Sequence, residues 1–186
     1  MKMTNNYVLA DSSFFILFLN DINNRSALNR IINKYKFIIT PHIQNEITSK
    51  YNNNKLWLNN KIKNNNIIIQ PTDDNNLAIF EPLISRKEKL DKHGEYELIA
   101  IAYKLKEESK YDFYLIIDDK DARKIANQLS LESYLIHTLE FIKVCYCDTR
   151  IFTKNEAIKI LEDIRNSKFR VKDHILYNIM NDIQQW

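Results

Sequence analysis

Asp118, Asp119 and Asp121 crowd the end of a hydrophobic run in Tyr114-Leu115-Ile116-Ile117-Asp118-Asp119-Lys120-Asp121-Ala122-Arg123. Adjacent carboxylates repel one another, and a site that concentrates them compensates with a divalent cation or a shared proton. An all-oxygen set suits a hard ion, and such an ion can polarise a phosphoryl oxygen or activate water. An Asp-Asp pair after a strand is also a common helix cap, so this segment alone leaves two readings open.

Three further segments carry acids in related positions. Tyr7-Val8-Leu9-Ala10 is a short apolar run that ends in Asp11, followed by Ser12, Ser13 and the apolar stretch Phe14 to Leu19. Phe37-Ile38-Ile39-Thr40 leads into Pro41, which suits the first turn of a helix capped by Thr40. Glu46 then falls about a turn and a half into that helix. Gly94-Glu95-Tyr96-Glu97 opens a stretch in which Leu98, Ala102 and Leu105 follow helical spacing, with Ile99 and Ile101 widening the apolar face. Each residue has a purely structural alternative: glutamates favour the positive end of a helix, and Ser13 is as good a helix cap as a phosphate contact. Chance supplies four such segments together less readily than any one of them.

Delivering four acids to one place requires a particular scaffold. Strands are expected near Tyr7 to Ala10, Phe37 to Ile39, Ile67 to Gln70 and Phe113 to Ile117, with a short fifth through Ser133-Tyr134-Leu135-Ile136. They alternate with helical stretches, which implies an α/β fold whose parallel sheet is wrapped by helices. Ligands of such sheets sit at the carboxyl edge of the strands. Asn-rich runs at Asn52-Asn53-Asn54, Asn64-Asn65-Asn66 and Asp73-Asp74-Asn75-Asn76 read as loops. Beyond them, Thr153 to Ile164 and about Val171 to Ile183 have helical periodicity and no strand-acid motif, so the tail is assigned to packing or partner contact. The chain divides on this reading into a catalytic unit over residues 1–148 and a helical extension over 149–186.

The order of these pieces resembles the PIN-domain nucleases, the fold of VapC-type toxins and of several RNA-processing endonucleases. Leu9-Ala10-Asp11-Ser12-Ser13 is similar to the family's first acid with its small hydroxyl neighbours, and Glu46 to its second, a glutamate in the helix after strand two. Gly94-Glu95-Tyr96-Glu97 and Asp118-Asp119-Lys120-Asp121-Ala122-Arg123 resemble a branch that carries Gly-Glu-x-Glu and Asp-Asp-Lys-x-Ala-Arg motifs and a two-helix C-terminal extension. Together the motifs span roughly residues 7 to 137. The resemblance implies a metal-dependent endoribonuclease in which Asp11, Glu46, Glu97 and Asp119 are catalytic. Asp11, Glu97 and Asp119 hold the principal ion, with Asp118, Asp121 and Glu95 as alternates. Glu46 orients a ligand water or shares a second ion; Ser13, Glu95 and Arg123 support the site. Mg2+ is the expected ion, with Mn2+ accepting the same ligands. RNA is the implied substrate, and a toxin's antitoxin protein and a second copy of the chain are implied partners. A PIN-like module that binds RNA or protein without cutting is the alternative. Two other acid-after-strand folds fit less well: a haloacid-dehalogenase-like phosphatase needs an aspartate where Ser13 stands, and a receiver domain carries its acid pair after the first strand.

Composition agrees. At 186 residues and 45% hydrophobic, the chain is long enough for a sizeable single core. Lys and Arg total 27 against 24 Asp and Glu, a net charge of +3, and an acid cluster leaves the remaining surface more basic than that sum. The charged stretch Ser85 to Lys92 is in the first instance a solvated helix end, but beside a cleft Arg86, Lys87, Lys89 and Lys92, together with Lys120, are candidate phosphate contacts. Cys145 and Cys147 are two apart in an apolar helical stretch, which turns them to different faces and argues against a disulfide or a zinc site. They read as reduced core residues of a cytoplasmic protein. No apolar run reaches about 18 residues, so neither a membrane span nor a signal peptide is expected. His42, His93, His137 and His174 are scattered without an evident acid/base pair, which favours carboxylate chemistry over metal-free RNA cleavage.

Overall fold

A computed structural model describes residues 7–49, 52–72, 78, 94–108 and 112–186. Its centre is a five-stranded sheet made of β1 (Tyr7–Ala10), β2 (Lys36–Ile39), β3 (Ile67–Ile69), β4 (Phe113–Ile116) and β5 (Leu135–Ile136), in the order β3-β2-β1-β4-β5. Every pairing is parallel: Leu9 sits opposite Ile38 on one side and Leu115 on the other. Parallel strands are covered on both faces, which is why β1, β2 and β4 are nearly continuous runs of apolar residues rather than alternating ones.

The first crossover is α1 (Ser12–Ile16), which runs into a π-helical turn at Leu17–Asp21, followed by α2 (Arg25–Lys34). Then come α3 (Pro41–Ser49), α4 (Asn52–Lys63), α5 (Gly94–Glu107), α6 (Lys120–Gln128) and α7 (Thr138–Cys147). The tail forms α8 (Lys154–Arg165) and α9 (Asp173–Gln185), as its periodicity predicts. Both pack with α7, and Leu161, Ile164, Leu176 and Ile183 are buried in the same apolar cluster as the sheet. Arg30 on α2 ties the tail further, donating to Glu156 at 2.6 Å and to the Ile151 carbonyl while its guanidinium lies over Phe152. Under the sheet, Phe14, Phe15, Phe18, Phe37 and Phe141 form a fully buried aromatic group, with ring centroids 5.3–6.0 Å apart in the Phe14 pairs.

Several local expectations shift. Asn52-Asn53-Asn54 is not a loop but the opening turn of α4. Asn54 explains it: its buried amide donates to Asn20 Oδ1 at 3.0 Å and to the Ile47 carbonyl at 3.2 Å, tertiary bonds that outweigh weak helix propensity. Asn64 to Asn66 do turn, with Asn65 at φ 57°, a left-handed conformation asparagine tolerates. β3 and β5 are shorter than expected, and α9 starts at Asp173 rather than Val171. The expected loop at 73–76 and the basic stretch with Arg86, Lys87, Lys89, Lys92 and His93 lie outside the described residues. Cys145 and Cys147 are both buried free thiols, and burial pushes the Cys145 thiol far up, as expected for packing residues. No helix among the described residues is long and apolar enough to cross a membrane.

Candidate active site

β1 lies in the middle of the sheet: the chain continues from it to β2 and β3 on one side and then returns to β4 on the other, so the direction of winding reverses there. That reversal opens a crevice beyond the carboxyl ends of β1 and β4, the position where open α/β sheets hold ligands. Register fixes what enters it. Ala10 pairs with Ile116, and the Asp11 amide donates to the Ile116 carbonyl at 3.2 Å, so the acids that end the two strands leave the sheet side by side.

Asp11 is the N-cap of α1 and is only 5% exposed. The Ser12 amide donates to its Oδ1, and the Ser13 hydroxyl donates to its Oδ2 at 2.8 Å. Burial pushes the carboxyl up to about 7; the charge of Glu95 adds to the rise, the Ser13 bond opposes it, and Glu46 raises it again. Three acids from β1, α3 and α5 therefore share one field. Without a cation, burial and these neighbouring charges favour the protonated form of Asp11.

The chain's single glycine brings the second and third acids in. A Cβ on Gly94 would stand 2.8 Å from Ile43 Cγ1 and 3.3 Å from His42 Cδ2, so the start of α5 lies directly against α3. Glu46, one turn beyond His42, is paired with it at 3.3 Å. On α5, residues two apart project about 200° from each other, so Glu95 and Glu97 cannot face the same partner. Glu95 is the one whose charge bears on Asp11. Glu97 is half-buried, and its Oε2 is buried with no hydrogen-bond partner among the described residues. Gly94→Ala is expected to destabilise the fold by about 1–3 kcal/mol, because crowding against fully buried Ile43 outweighs the roughly 1 kcal/mol of helix propensity that alanine adds. Denaturant melts measure this; an unchanged or raised stability would show that α3 and α5 can separate freely.

The β4 acids divide their tasks. Asp118 accepts from the Thr138 amide at 3.1 Å and the Thr138 hydroxyl at 2.5 Å, and lies 3.2 Å from His137 Nδ1. Asp119 is exposed and caps α6, its Oδ1 accepting from the amides of Asp121 and Ala122 at 2.9 and 2.8 Å. Asp121 is exposed, paired with Lys124 at 2.7 Å, and that ammonium holds its carboxyl below the usual range. Arg123 donates to the Ile117 carbonyl at 2.9 Å; burial lowers the basicity of its guanidinium, and the charges of Glu140 and Asp118 partly restore it. Lys120 is exposed at the start of α6. Sequence reasoning missed His137 and Thr138. They reach Asp118 because β5 pairs with β4, Ile136 opposite Ile116, and the end of the fifth strand was the one available signal.

The donor set is hard oxygen throughout, which fits Mg2+ or Mn2+ and not a thiolate-seeking metal. The raised Asp11 carboxyl, with the charge of Glu95 beside it, is the feature a cation would satisfy, and the Glu97 oxygen without a partner among the described residues is a second buried acceptor on α5. Among the described residues, no three acid, histidine or cysteine side chains close into one coordination sphere. The acids share a sheet edge rather than a finished cage. A family model described as a PIN domain matches residues 7–185. No curated protein and no solved structure gives a significant match.

Proposed function

The chain belongs to the PIN-domain family, and from that premise we propose that it is a metal-dependent endoribonuclease. The observation that carries this reading is Asp11 at the switch point of the sheet, raised to about 7 by burial first and then by the charges of Glu95 and Glu46. A group that only packs or caps gains nothing from a buried charge beside two others, whereas a bound cation would offset both the burial and the repulsion.

Asp11, Glu95 and Asp119 would hold the principal Mg2+, with Mn2+ as a substitute, and Glu97 and Asp118 would stand beside them as alternates. The ion supplies an acidified water and charge neutralisation at the scissile phosphate. The protein's own groups do the rest. Ser12 and Ser13 fix the Asp11 carboxylate, and Thr138 and His137 fix Asp118, so that the acids do not reorient as charge develops. Glu46 orients the attacking water, with His42 steadying it. Arg123, anchored on the Ile117 carbonyl, offers its remaining N–H groups to a phosphate. The cellular setting we propose is cytoplasmic, either as a toxin held by an antitoxin protein, with a homodimer as its assembly, or as a processing enzyme. An adjacent small reading frame encoding a DNA-binding antitoxin distinguishes the two.

The test is cleavage of single-stranded RNA by the purified chain with Mn2+ or Mg2+ and with EDTA. Cleavage in metal only is the expected result; tight RNA binding without cleavage would make this a binding module. Asp119 separates capping from chemistry. Asparagine caps as well as aspartate, so Asp119→Asn should keep its stability, while Asp119→Ala should lose about 1 kcal/mol. Both should lose cleavage. Full activity in Asp119→Asn would leave that residue a cap alone.

A further inference from the structure

A concavity lies beside the acid cluster. It encloses about 450 Å3 between α6, the start of α7 and the segment that leads into α9, with Asp118 in its wall. That volume is in the range of about 300–1,000 Å3 typical of small-ligand sites, enough for a nucleotide. Its polar lining is strongly cationic. Lys120, Arg123 and Lys124 come from α6, and Arg170 and Lys172 come from the tail. Lys124 is committed to Asp121, and one nitrogen of Arg123 to the Ile117 carbonyl. Lys120, Arg170 and Lys172 are exposed and form no ion pair with a described residue. Three uncommitted cations in one concavity make a site for an anion.

The rest of the lining is apolar. Leu139, Phe169, Val171 and Ile175 contribute to it, Phe169 half-buried against the core and Ile175 36% exposed. α9 joins the wall through its first turn, where Lys172 stands at the N-cap and Asp173 offsets part of the positive helix terminus. Cations that take a phosphate, next to an apolar and aromatic surface that takes a flat ring, describe an unpaired nucleotide. A duplex hides the faces of its bases, and a simple anion has no use for Phe169 or Ile175.

We propose that this groove seats one nucleotide of a single-stranded RNA next to the scissile phosphate, its phosphate on Lys120, Arg170 and Lys172 and its base against Phe169 and Ile175. The proposal rests on the nuclease reading for the identity of the strand, since Asp118 lines the groove and also ends β4 beside Asp11. It gives the tail a task that its helical periodicity does not suggest: Arg170 and Lys172 form one side of the substrate track. An acidic peptide is the competing occupant. The apolar wall argues for RNA, because a run of glutamates has no ring to place there.

Binding is measured on the full chain in EDTA, where no cleavage is expected, by anisotropy of a labelled single-stranded oligoribonucleotide across a salt series. Arg170→Ala/Lys172→Ala should weaken binding about tenfold. Because it removes two of the three cations that neutralise one phosphate, it should also make the logarithmic salt slope shallower, by up to about 0.7. Thermal melts of the variant should match wild type, because both side chains are exposed. Lys34→Ala/Lys63→Ala removes two exposed charges elsewhere and should bind within about twofold of wild type. Equal losses of affinity in the two double variants, or no loss and no slope change in the first, would overturn the proposal. So would a hexaglutamate peptide that binds wild type and loses affinity in the first variant while RNA binding is unchanged. A chain that binds RNA through these residues in EDTA yet never cuts with metal would sink the nuclease reading and leave the groove standing.

Discussion

Asp11→Asn should abolish metal-dependent RNA cleavage while leaving the fold intact and, without metal, more stable at neutral pH. The amide is isosteric with the carboxylate. Its oxygen still accepts from the Ser12 amide, and its nitrogen turns toward the Ser13 hydroxyl, which accepts in place of donating. What disappears is a charge that is 5% exposed and faces Glu95 and Glu46. Removing it relieves burial and repulsion together, so the variant should melt higher than wild type in EDTA. The loss of activity should exceed about 100-fold, the upper reach of changes to residues that merely support a ligand. Cleavage at the wild-type rate in Mg2+ would remove Asp11 from the chemistry and with it the central proposal. Circular dichroism and a melt accompany the assay, so that loss of activity is separated from loss of fold.

The second large effect is on the pH dependence of stability. Asp11 titrates near 3.8 in an unfolded chain and at about 7 in the fold, so the folded state holds the proton more tightly. A raised carboxyl contributes stability that is fully present below the unfolded value and is lost as pH rises through the folded one. Between these limits the metal-free protein should lose on the order of 4 kcal/mol from this group. A divalent ion reverses the trend because it binds the ionised carboxylate of the folded state, adding roughly 2.7 kcal/mol at a hundredfold excess over its dissociation constant. Proton and metal compete, so Mn2+ affinity should strengthen as pH rises toward 7 and level off above it. Melting temperatures from about pH 5 to 8, in EDTA and in Mn2+, measure both trends. An Mn2+ shift of equal size at both ends, or a wild-type pH profile identical to that of Asp11→Asn, would mean that Asp11 does not couple the site to protons.

Much of this scaffold is legible along the chain. Val8 to Ala10, Phe37 to Ile39 and Phe113 to Ile116 announce buried parallel strands because a strand covered on both faces has no polar positions to show. Asp11 and the Asp118-Asp119 pair follow directly from those strand ends, and Glu46 from the Thr40-Pro41 start of α3, where the Thr40 hydroxyl accepts from the Ile43 amide at 3.2 Å. The tail helices are visible in their periodicity, and both carry buried apolar faces. Asn52 to Asn54 mislead because what decides their conformation is a buried amide bonded to Asn20 and Ile47, residues that local composition does not connect with them.

By itself the sequence determined the fold class, the strand ends and the types of side chain delivered there, since each depends on local periodicity and on residues adjacent in the chain. Only the tertiary structure decided which acids meet. Gly94 presses α5 onto α3, and the charge of Glu95 on α5 then bears on Asp11. The pairing of β5 with β4 gives Asp118 its partners 19 and 20 residues away. Arg170 and Lys172 reach Lys120 across a groove that forms when the tail folds back beside α6. Charge repulsion and hydrogen bonding act over a few ångströms of space, and the sequence separations they span here are set by helix phase, strand order and packing, none of which is written at any one position.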